Sequence, residues 1–379
     1  MLRDLFLCQL YLRMRAEQLS DEIRKMMSPK LAKEFFGPSS GIFIGTEGYP
    51  KLNAGPLGLL DVQFAPPIML KMDYGKIIAA QASVIRSNKK QNIFSRERFV
   101  SDMQEISLAK LPTDIEMIFS KKPSFAMSFD KIHQPMGASA KLESLRLTEN
   151  PKIDNKVEKV VNDEMLANES SMVLYNHGID VYKITTILSS GALGVKKKLV
   201  PTRWSITATD DIIAKSLLHD VRGFSSVNDF SVFESFNLDN RFVALVMPGS
   251  WEFENFEAWS SPVWKPGLEV EYEPFSGRTT YAEMEGGGYY ASRIAVVEYL
   301  HKIKRQARVV VFREIYEGYS VPVGVWQVRE NMRNAMTSSP VKFSSLKEAM
   351  NYVSTRLRFP LKNYMEKSTI FMQRRLTDF

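Results

Sequence analysis

Apolar residues recur at helical spacing in some parts of the chain and form short β-branched runs in others. Helical spacing predicts helices over residues 20–36, 96–109, 179–188 and 289–304, the first ending before Gly37 and Pro38. β-Branched and aromatic runs predict strands over residues 42–44, 242–247, 307–312 and 321–328. Because the two kinds of segment do not alternate regularly, we predict an α+β fold in two subregions.

Composition and charge are those of a globular protein that tolerates anionic partners. The chain has 379 residues, of which 44% are hydrophobic and 25% charged, and its length predicts more than one core. Lysine and arginine number 50 against 43 acidic residues, a net charge of +7. This balance permits a nucleic-acid partner but does not require one.

Cysteine and histidine usage argues against a zinc site. Cys8 is the only cysteine, so neither an intramolecular disulfide nor a cysteine-based zinc site is possible. The four histidines, His133, His177, His219 and His301, show no metal-ligand spacing. We therefore predict no cofactor, with carboxylate-bound Mg²⁺ or Mn²⁺ reserved for an enzymatic alternative.

The N-terminal stretch is apolar over residues 5–12, but Asp4 precedes it and Arg13 and Arg15 follow directly. This pattern favours an amphipathic helix over a signal peptide. No run approaches the length of a membrane span. The expected location is the cytoplasm, without membrane contact.

The most basic segment, KKKLVPTRWSITATDD, begins at Lys196. Its cations beside Trp204 suit a phosphate backbone with a stacked base, although a solvated turn with Trp204 in the core fits equally well. The adjacent pair Asp210 and Asp211 suits a metal ion. However, Thr207 and Asp210 have capping-box spacing, and we favour a helix N-terminus there.

A second candidate is an anion pocket at a glycine run that leads into a helix. Backbone N–H groups of such a run can approach an anion, and arginines nearby can neutralise it. Neither a P-loop nor a dinucleotide fingerprint is present. Taking both segments together, we predict a phosphate or nucleic-acid site formed by Lys198, Arg203, Trp204, Arg278, Gly286, Gly287, Gly288 and Arg293.

The acid-rich segment 252–273 could supply ligands for a two-metal nuclease, but its spacing fits no such template. Its aromatic density favours a strand with exposed acids and buried rings. No hydrolase motif is found in the sequence. Whether the protein is an enzyme is left open.

The blocks KKLVPTRWSITATDD, GRTTYAEMEGGGYYASRIAVVEYL, RQARVVVFREI and PVGVWQVRENMRNAM resemble the archaeal Nre family of DNA repair proteins, as do SSGIFIGTEGYP and GPLGLLD. The resemblance covers residues 37–336 and implies a DNA partner. Members commonly begin with a cysteine cluster suited to zinc, and with Cys8 alone this chain does not carry that role.

On this resemblance we divide the chain into four regions. These are an N-terminal helical segment (1–36), an Nre N-terminal region (37–275), an Nre C-terminal region (276–365) and a flexible clamp-binding tail (366–379). Members of one type end in a motif for the archaeal sliding clamp, the homologue of proliferating cell nuclear antigen. The matching residues here are Gln373, Arg374, Arg375, Leu376, Thr377, Asp378 and Phe379.

The tail also fits this role on physical grounds. Leu376 and Phe379 follow Gln373 by three and six residues, so one 3₁₀-type turn places both apolar side chains on the same side. The alternative is a segment that packs on its own domain. Our leading hypothesis is a DNA repair factor recruited by the clamp, whose body binds DNA or a nucleotide. The alternatives are a metal-dependent nuclease or nucleotide-processing enzyme, and an adaptor without catalysis.

Overall fold

The computed structural model describes Gln18 and residues 21–125, 137–260 and 267–372. Cys8, His133 and the predicted clamp motif Gln373–Phe379 lie outside the described residues. The fold is α+β, as predicted, with strands in two separate sheets. No helix within the described ranges is long and apolar enough to cross a membrane.

The first sheet is a closed five-stranded barrel. Its strands are β1 (Glu34–Ile44), β2 (Lys51–Leu59), β3 (Val84–Asn92), β4 (Thr113–Phe119) and β5 (Ser139–Leu147). Around the barrel the order is β1-β2-β3-β5-β4, with β4 closing on β1. The β3–β5 pair is parallel and the other pairs are antiparallel. Alternate residues such as Ile115, Met117 and Phe119 point inward and are fully buried.

Four helices accompany the barrel strands. They are α1 (residues 21–27, continued by a 3₁₀ turn at Ser28–Lys30), α2 (Pro66–Met69), α3 (Tyr74–Ala82) and α4 (Arg98–Leu108). The helix predicted over residues 96–109 is confirmed by α4. The helix predicted over residues 20–36 is wrong beyond Lys30, because Glu34–Pro38 pair with β4 in a strand. Cross-strand pairing there outweighs local helix propensity, and Phe35 faces the core while Phe36 faces outward.

A helical layer follows the barrel. It consists of α5 (Asn155–Asn162), α6 (Ala167–Asn176), α7 (Val181–Ser189) and α8 (Thr202–Val221). The helix predicted over residues 179–188 is confirmed by α7, which Asp180 caps through the Tyr182 and Lys183 N–H groups. The helix N-terminus predicted from the Thr207–Asp210 capping box is wrong, since α8 begins at Thr202 and both residues lie buried inside it.

The second sheet has six strands in the order β11-β6-β7-β10-β8-β9. These strands are β6 (Phe230–Asn237), β7 (Asn240–Met247), β8 (Glu252–Trp259), β9 (Gly267–Glu273), β10 (Arg308–Ile315) and β11 (Val341–Phe343). The sheet is mixed, because β10 runs parallel to β8 and antiparallel to β7. The predicted boundary at residues 275–276 falls after β9, and strands from both sides of it share this sheet.

Helices cover both faces of the second sheet. One face packs against α5–α8 together with α9 (Gly287–Ile303) and α10 (Trp326–Thr337). The other packs against α11 (Leu346–Ser354), α12 (Leu361–Met365) and α13 (Thr369–Met372). The acids of β8 are therefore buried, and the expectation of exposed acids there is wrong. Each has a partner: Glu257 bonds Arg313, Glu254 bonds Thr369, and Glu252 accepts a hydrogen bond from Tyr272.

The strand predicted over residues 321–328 is also wrong, because α10 begins at Trp326. Val321 and Val323 are buried against α1 and α3 instead of entering the sheet. Side chains satisfy their backbone groups: Val321 N–H donates to the Tyr74 hydroxyl at 2.7 Å, and Gln81 Nε2 donates to Val323 O at 2.7 Å. The β-branched run marks a contact between the two halves of the chain.

The ring of Tyr364 holds α12 on the second sheet. It meets Phe256 and Phe312 edge to face, with centroids 5.3 and 5.1 Å away, and its hydroxyl donates to Glu314 Oε1 at 2.8 Å. We predict that Tyr364→Ala lowers the free energy of unfolding by about 3–5 kcal/mol. Tyr364→Phe keeps the ring and should cost only about 1–2 kcal/mol.

Urea unfolding followed by fluorescence measures both changes. The exposed Tyr281, changed to Phe, is the control and should alter stability by less than about 0.5 kcal/mol. Equal losses from the alanine and phenylalanine variants at Tyr364 would contradict a packing role for the ring.

Candidate functional site

The basic run that precedes α8 is fixed against the barrel. Leu199 N–H donates to Ile93 O at 2.9 Å, just after β3. The guanidinium of Arg96 donates to the carbonyls of Lys196 and Lys197 at 2.9 and 2.8 Å. The run is thus a defined turn on the barrel.

The three lysines of this run have different roles. Lys197 has a positive φ of 45° and donates to Ala192 O and Val161 O at 2.8 and 2.6 Å. Burial, with the charge of Arg96, lowers the pKa of Lys197. Its ammonium therefore stabilises the turn, whereas Lys196 is exposed and Lys198 is half-buried.

Trp204, in the first turn of α8, lies at the surface. Its side chain is 48% exposed and contacts Tyr49, itself 51% exposed, with ring centroids 5.8 Å apart. Arg203 beside it is also exposed. The helix start is positioned by Thr202, whose hydroxyl accepts a hydrogen bond from Ile44 N–H at 2.9 Å. The structure therefore does not bury Trp204 in a core.

A shallow groove lies on the barrel next to these residues. Its volume is about 510 Å³, and its lining includes Lys51, Lys90, Asn92 and Phe94. The Lys90 ammonium lies against Gly48 of the β1–β2 connection, 3.3 Å from where a Cβ would stand. We call the whole area the rim surface; its members are Tyr49, Lys51, Lys90, Phe94, Lys196, Lys198, Arg203 and Trp204.

Half of the rim surface was missed from the sequence. Tyr49 and Lys51 belong to the stretch GTEGYPK, where an aromatic residue among turn residues was a usable signal of exposure. Lys90 gave no comparable signal, because its exposure depends on which face of β3 points outward. Phe94 lies in the turn after β3 and gave no such signal either.

The other half of the predicted site lies at the second sheet, where its arginines have partners inside the protein. Arg293 is 1% exposed and bonds Glu273 at 2.8 Å and Asp211 at 3.1 Å. Burial lowers the Arg293 pKa, but Glu273, Tyr289 and Asp211 together more than offset it, so the pKa is raised overall. Arg278 donates to Glu271 at 2.5 Å. Both guanidinium groups are neutralised by carboxylates of the same chain.

Packing accounts for the three glycines at the start of α9. Gly286 has a φ of 52°, a conformation that other residues rarely adopt. A Cβ at Gly287 would lie 2.6 Å from Val325, and one at Gly288 would lie 2.1 Å from Glu257 Oε1. The anion next to this helix N-terminus is therefore the carboxylate of Glu257.

The rim surface is separate from the other cationic groups. Asp211, which bonds Arg293, lies about 12 Å along α8 from Arg203 at the rise of an ideal helix. A second basic segment of the sequence comprises Lys302, Lys304, Arg305 and Arg308, at and after the end of α9. It is further away, since His301 contacts Asp220 about 26 Å along α8 from Arg203. The two basic segments of the sequence do not form one patch.

The acidic pair on α8 is engaged by arginines. Asp210 forms a two-point contact with Arg329 at 3.0 and 2.5 Å, and Asp211 bonds Arg293 and Lys215. Within the described part of the chain, no three histidine, cysteine, aspartate or glutamate side chains are grouped to hold a metal ion.

Glu285 is a buried acid with an unusual environment. Asn255 Nδ2 donates to its Oε2 at 2.5 Å, and Glu257 is nearby. Burial, reinforced by the charge of Glu257, raises the Glu285 pKa well above its ordinary value. The folded state therefore retains this proton to higher pH than the unfolded chain does.

This raised pKa gives a stability prediction. Because the folded state binds the extra proton, stability falls as pH rises from the unfolded pKa of about 4.3 through the raised value. Glu285→Gln removes this titration, so the variant should gain thermal stability relative to the wild type as pH increases. Melting temperatures between acidic and mildly alkaline pH measure it. Glu283→Gln is the control, since Glu283 is exposed; parallel curves for wild type and Glu285→Gln would contradict the prediction.

Comparison with known proteins identifies relatives along most of the chain. The family described as "Archaeal Nre, N-terminal" matches residues 11–265, and "Archaeal Nre, C-terminal" matches residues 273–379. Comparison with solved structures gives no significant match.

Three relatives are similar over nearly their full lengths. The protein named DNA repair protein NreB of Archaeoglobus fulgidus is 36% identical over 352 residues, covering 89% of this chain and 90% of the relative. DNA repair protein NreA of the same organism is 36% identical, covering 89% of each chain. DNA repair protein NreA of Haloferax volcanii is 33% identical, covering 88% of this chain and 85% of the relative. The chain belongs to the archaeal Nre family.

Proposed function

We propose that this protein is a DNA repair factor that binds DNA through the rim surface and is recruited to it by a sliding clamp. The observation that carries the repair role is family membership, since relatives matched along about nine-tenths of their length are named DNA repair proteins. The two binding activities rest on separate features of this chain.

The rim surface supports contact with DNA. Exposed cations can neutralise phosphates, and half-exposed aromatic rings can stack on bases. Of the residues first predicted for this role, Lys198, Arg203 and Trp204 lie here. Arg278, Arg293 and the glycines before α9 are engaged within the fold, so the proposal does not rely on them.

The segment QRRLTDF supports recruitment by the clamp. It carries glutamine, leucine and phenylalanine at the spacing of a clamp-binding motif. The helix that precedes it, α13, is fixed to β8: Thr369 N–H donates to Glu254 Oε1 at 2.7 Å, and Ile370 is buried. Met372, the last described residue, is 60% exposed. The motif thus continues from a fixed point on the surface.

We predict that the clamp binds the full chain with micromolar affinity, about −8 kcal/mol, as expected for a short peptide that orders on binding. A chain that ends at Met372, or one with both Leu376→Ala and Phe379→Ala, should lose this binding. Calorimetric titration of the cognate clamp measures the affinity. Thr377→Ala lies between the anchor positions and should bind normally. Equal affinity of the full and shortened chains would overturn clamp recruitment.

We also predict that DNA binding depends on the cations at the start of α8. The double variant Lys198→Ala, Arg203→Ala should bind duplex DNA more weakly, and its log–log salt slope should be flatter by about 1.8 if each contacts one phosphate. Fluorescence anisotropy at several salt concentrations measures both quantities. The charge-matched control is Lys302→Ala with Lys347→Ala, and an effect as large in that control would contradict a localised site.

A further inference from the structure

The barrel has the strand arrangement of the oligonucleotide/oligosaccharide-binding (OB) fold. Its order β1-β2-β3-β5-β4, the closure of β4 on β1 and the parallel β3–β5 pair all agree with that fold. Helix α4 lies between β3 and β4 along the chain, as the OB helix does. Barrels of this kind bind their ligands on the β2–β3 face and on the β1–β2 and β4–β5 connections.

The rim surface occupies part of that ligand-binding region. Tyr49 lies in the β1–β2 connection, and Lys51 is the first residue of β2. Lys90 on β3 pairs with Asn53, and Lys51 pairs with Asn92. Their neighbours Leu52 and Gln91 are buried in the barrel, so Lys51 and Lys90 are on the outer face of the β2–β3 pair.

We propose that the rim surface binds single-stranded DNA in preference to duplex DNA. This inference rests on the proposed function, which requires DNA binding at the same residues, and it adds the form of the DNA. Similarity to the OB fold alone does not support this preference, because one fold serves many functions. The support comes from the aromatic side chains of the rim surface.

Three large aromatic side chains of the rim surface are exposed: Tyr49, Trp204 and Phe94, the last at 57%. Exposed aromatic rings beside cations are the arrangement that stacks unpaired bases, which present their faces freely. Bases of an intact duplex are stacked on one another and offer only their edges in the grooves.

Charge on the same area favours a phosphate backbone. Two carboxylates accompany the cations, Glu47 in the β1–β2 connection and Glu97 at the groove. The cations of the rim surface outnumber them: Lys51, Lys90, Lys196, Lys198 and Arg203. A strand can therefore place phosphates along the lysines while bases reach Tyr49, Trp204 and Phe94.

The test compares a labelled single strand of about 20 nucleotides, longer than one OB fold covers, with its duplex. Fluorescence anisotropy on the full chain should show tighter binding of the single strand. Tyr49→Ala and Trp204→Ala should each weaken it by about 5- to 150-fold, the range measured for loss of one stacked base. Lys51→Ala with Lys90→Ala should flatten the salt slope by about 1.4.

Matched controls separate the site from general effects. Phe275→Ala removes another exposed ring; it contacts Arg222, about 27 Å along α8 from Trp204 at ideal helix rise. Lys302→Ala with Lys347→Ala removes the same charge as the lysine pair. Trp204→Phe keeps a stacking ring and should retain most of the affinity. This variant tests stacking even if Trp204→Ala does not fold.

Each outcome is informative. Equal or tighter binding of the duplex overturns the single-strand preference but leaves DNA binding at the rim surface intact. No binding of either form overturns both this inference and the DNA-binding part of the proposed function. If the Tyr49 and Trp204 variants bind the single strand as well as the wild type does, the rim surface is not the binding site and the inference is overturned. Tighter binding of an RNA strand of the same sequence overturns the assignment of DNA.

Discussion

Buried carboxylates that each require an arginine from another element determine how the helices lie on the second sheet. Asp210 pairs with Arg329 and joins α8 to α10, while Glu273 pairs with Arg293 and joins β9 to α9. Removing one partner of such a pair leaves an uncompensated charge in the interior, which typically costs about 3–5 kcal/mol. Such pairs often add little net stability, because the cost of desolvating both charges offsets their attraction.

Helix α8 transmits this constraint to the barrel. It extends for 20 residues, about 30 Å at ideal rise, with its middle held by Arg329 and Arg293. Its first residue, Thr202, is bonded to Ile44 of β1. The exposed Arg203 and Trp204 are therefore positioned by contacts at the second sheet as well as by the barrel. The rim surface depends on these contacts at the second sheet, although all eight of its members precede that sheet in the chain.

The sequence predicted local structure well where apolar residues recur at helical spacing, as in α4, α7 and α9. The predictions failed where tertiary contacts determine the secondary structure or the exposure of a segment. Glu34–Pro38 pair with β4 against their helical pattern, Val321 and Val323 bury without a strand, and the acids of β8 are covered by helices on both faces. The barrel closes through strand pairings between residues distant in sequence, and no local sequence pattern predicts them.

The candidate site was predictable to a similar degree. The basic run with Trp204 was visible because cations and an aromatic residue are adjacent in the chain. Tyr49, Lys51 and Lys90 join them only through the barrel. Conversely, the glycines before α9 with Arg278 and Arg293 had the composition of an anion site. The carboxylates that engage the two arginines come from β9 and α8, and Glu257 beside Gly288 comes from β8.

The anchoring of α13 on β8 limits how far the last residues can reach. Ile370 is buried and Thr369 is bonded to Glu254, so the position of Met372 on the second sheet is fixed. Under the proposal that a clamp binds residues 373–379, almost no linker would separate the bound peptide from the body. The body would then lie within about 25 Å of its partner, the most that seven extended residues span. Its local concentration there would be set by this geometry rather than by its abundance. Inserting residues between Met372 and Gln373 would lower that local concentration without changing any contact.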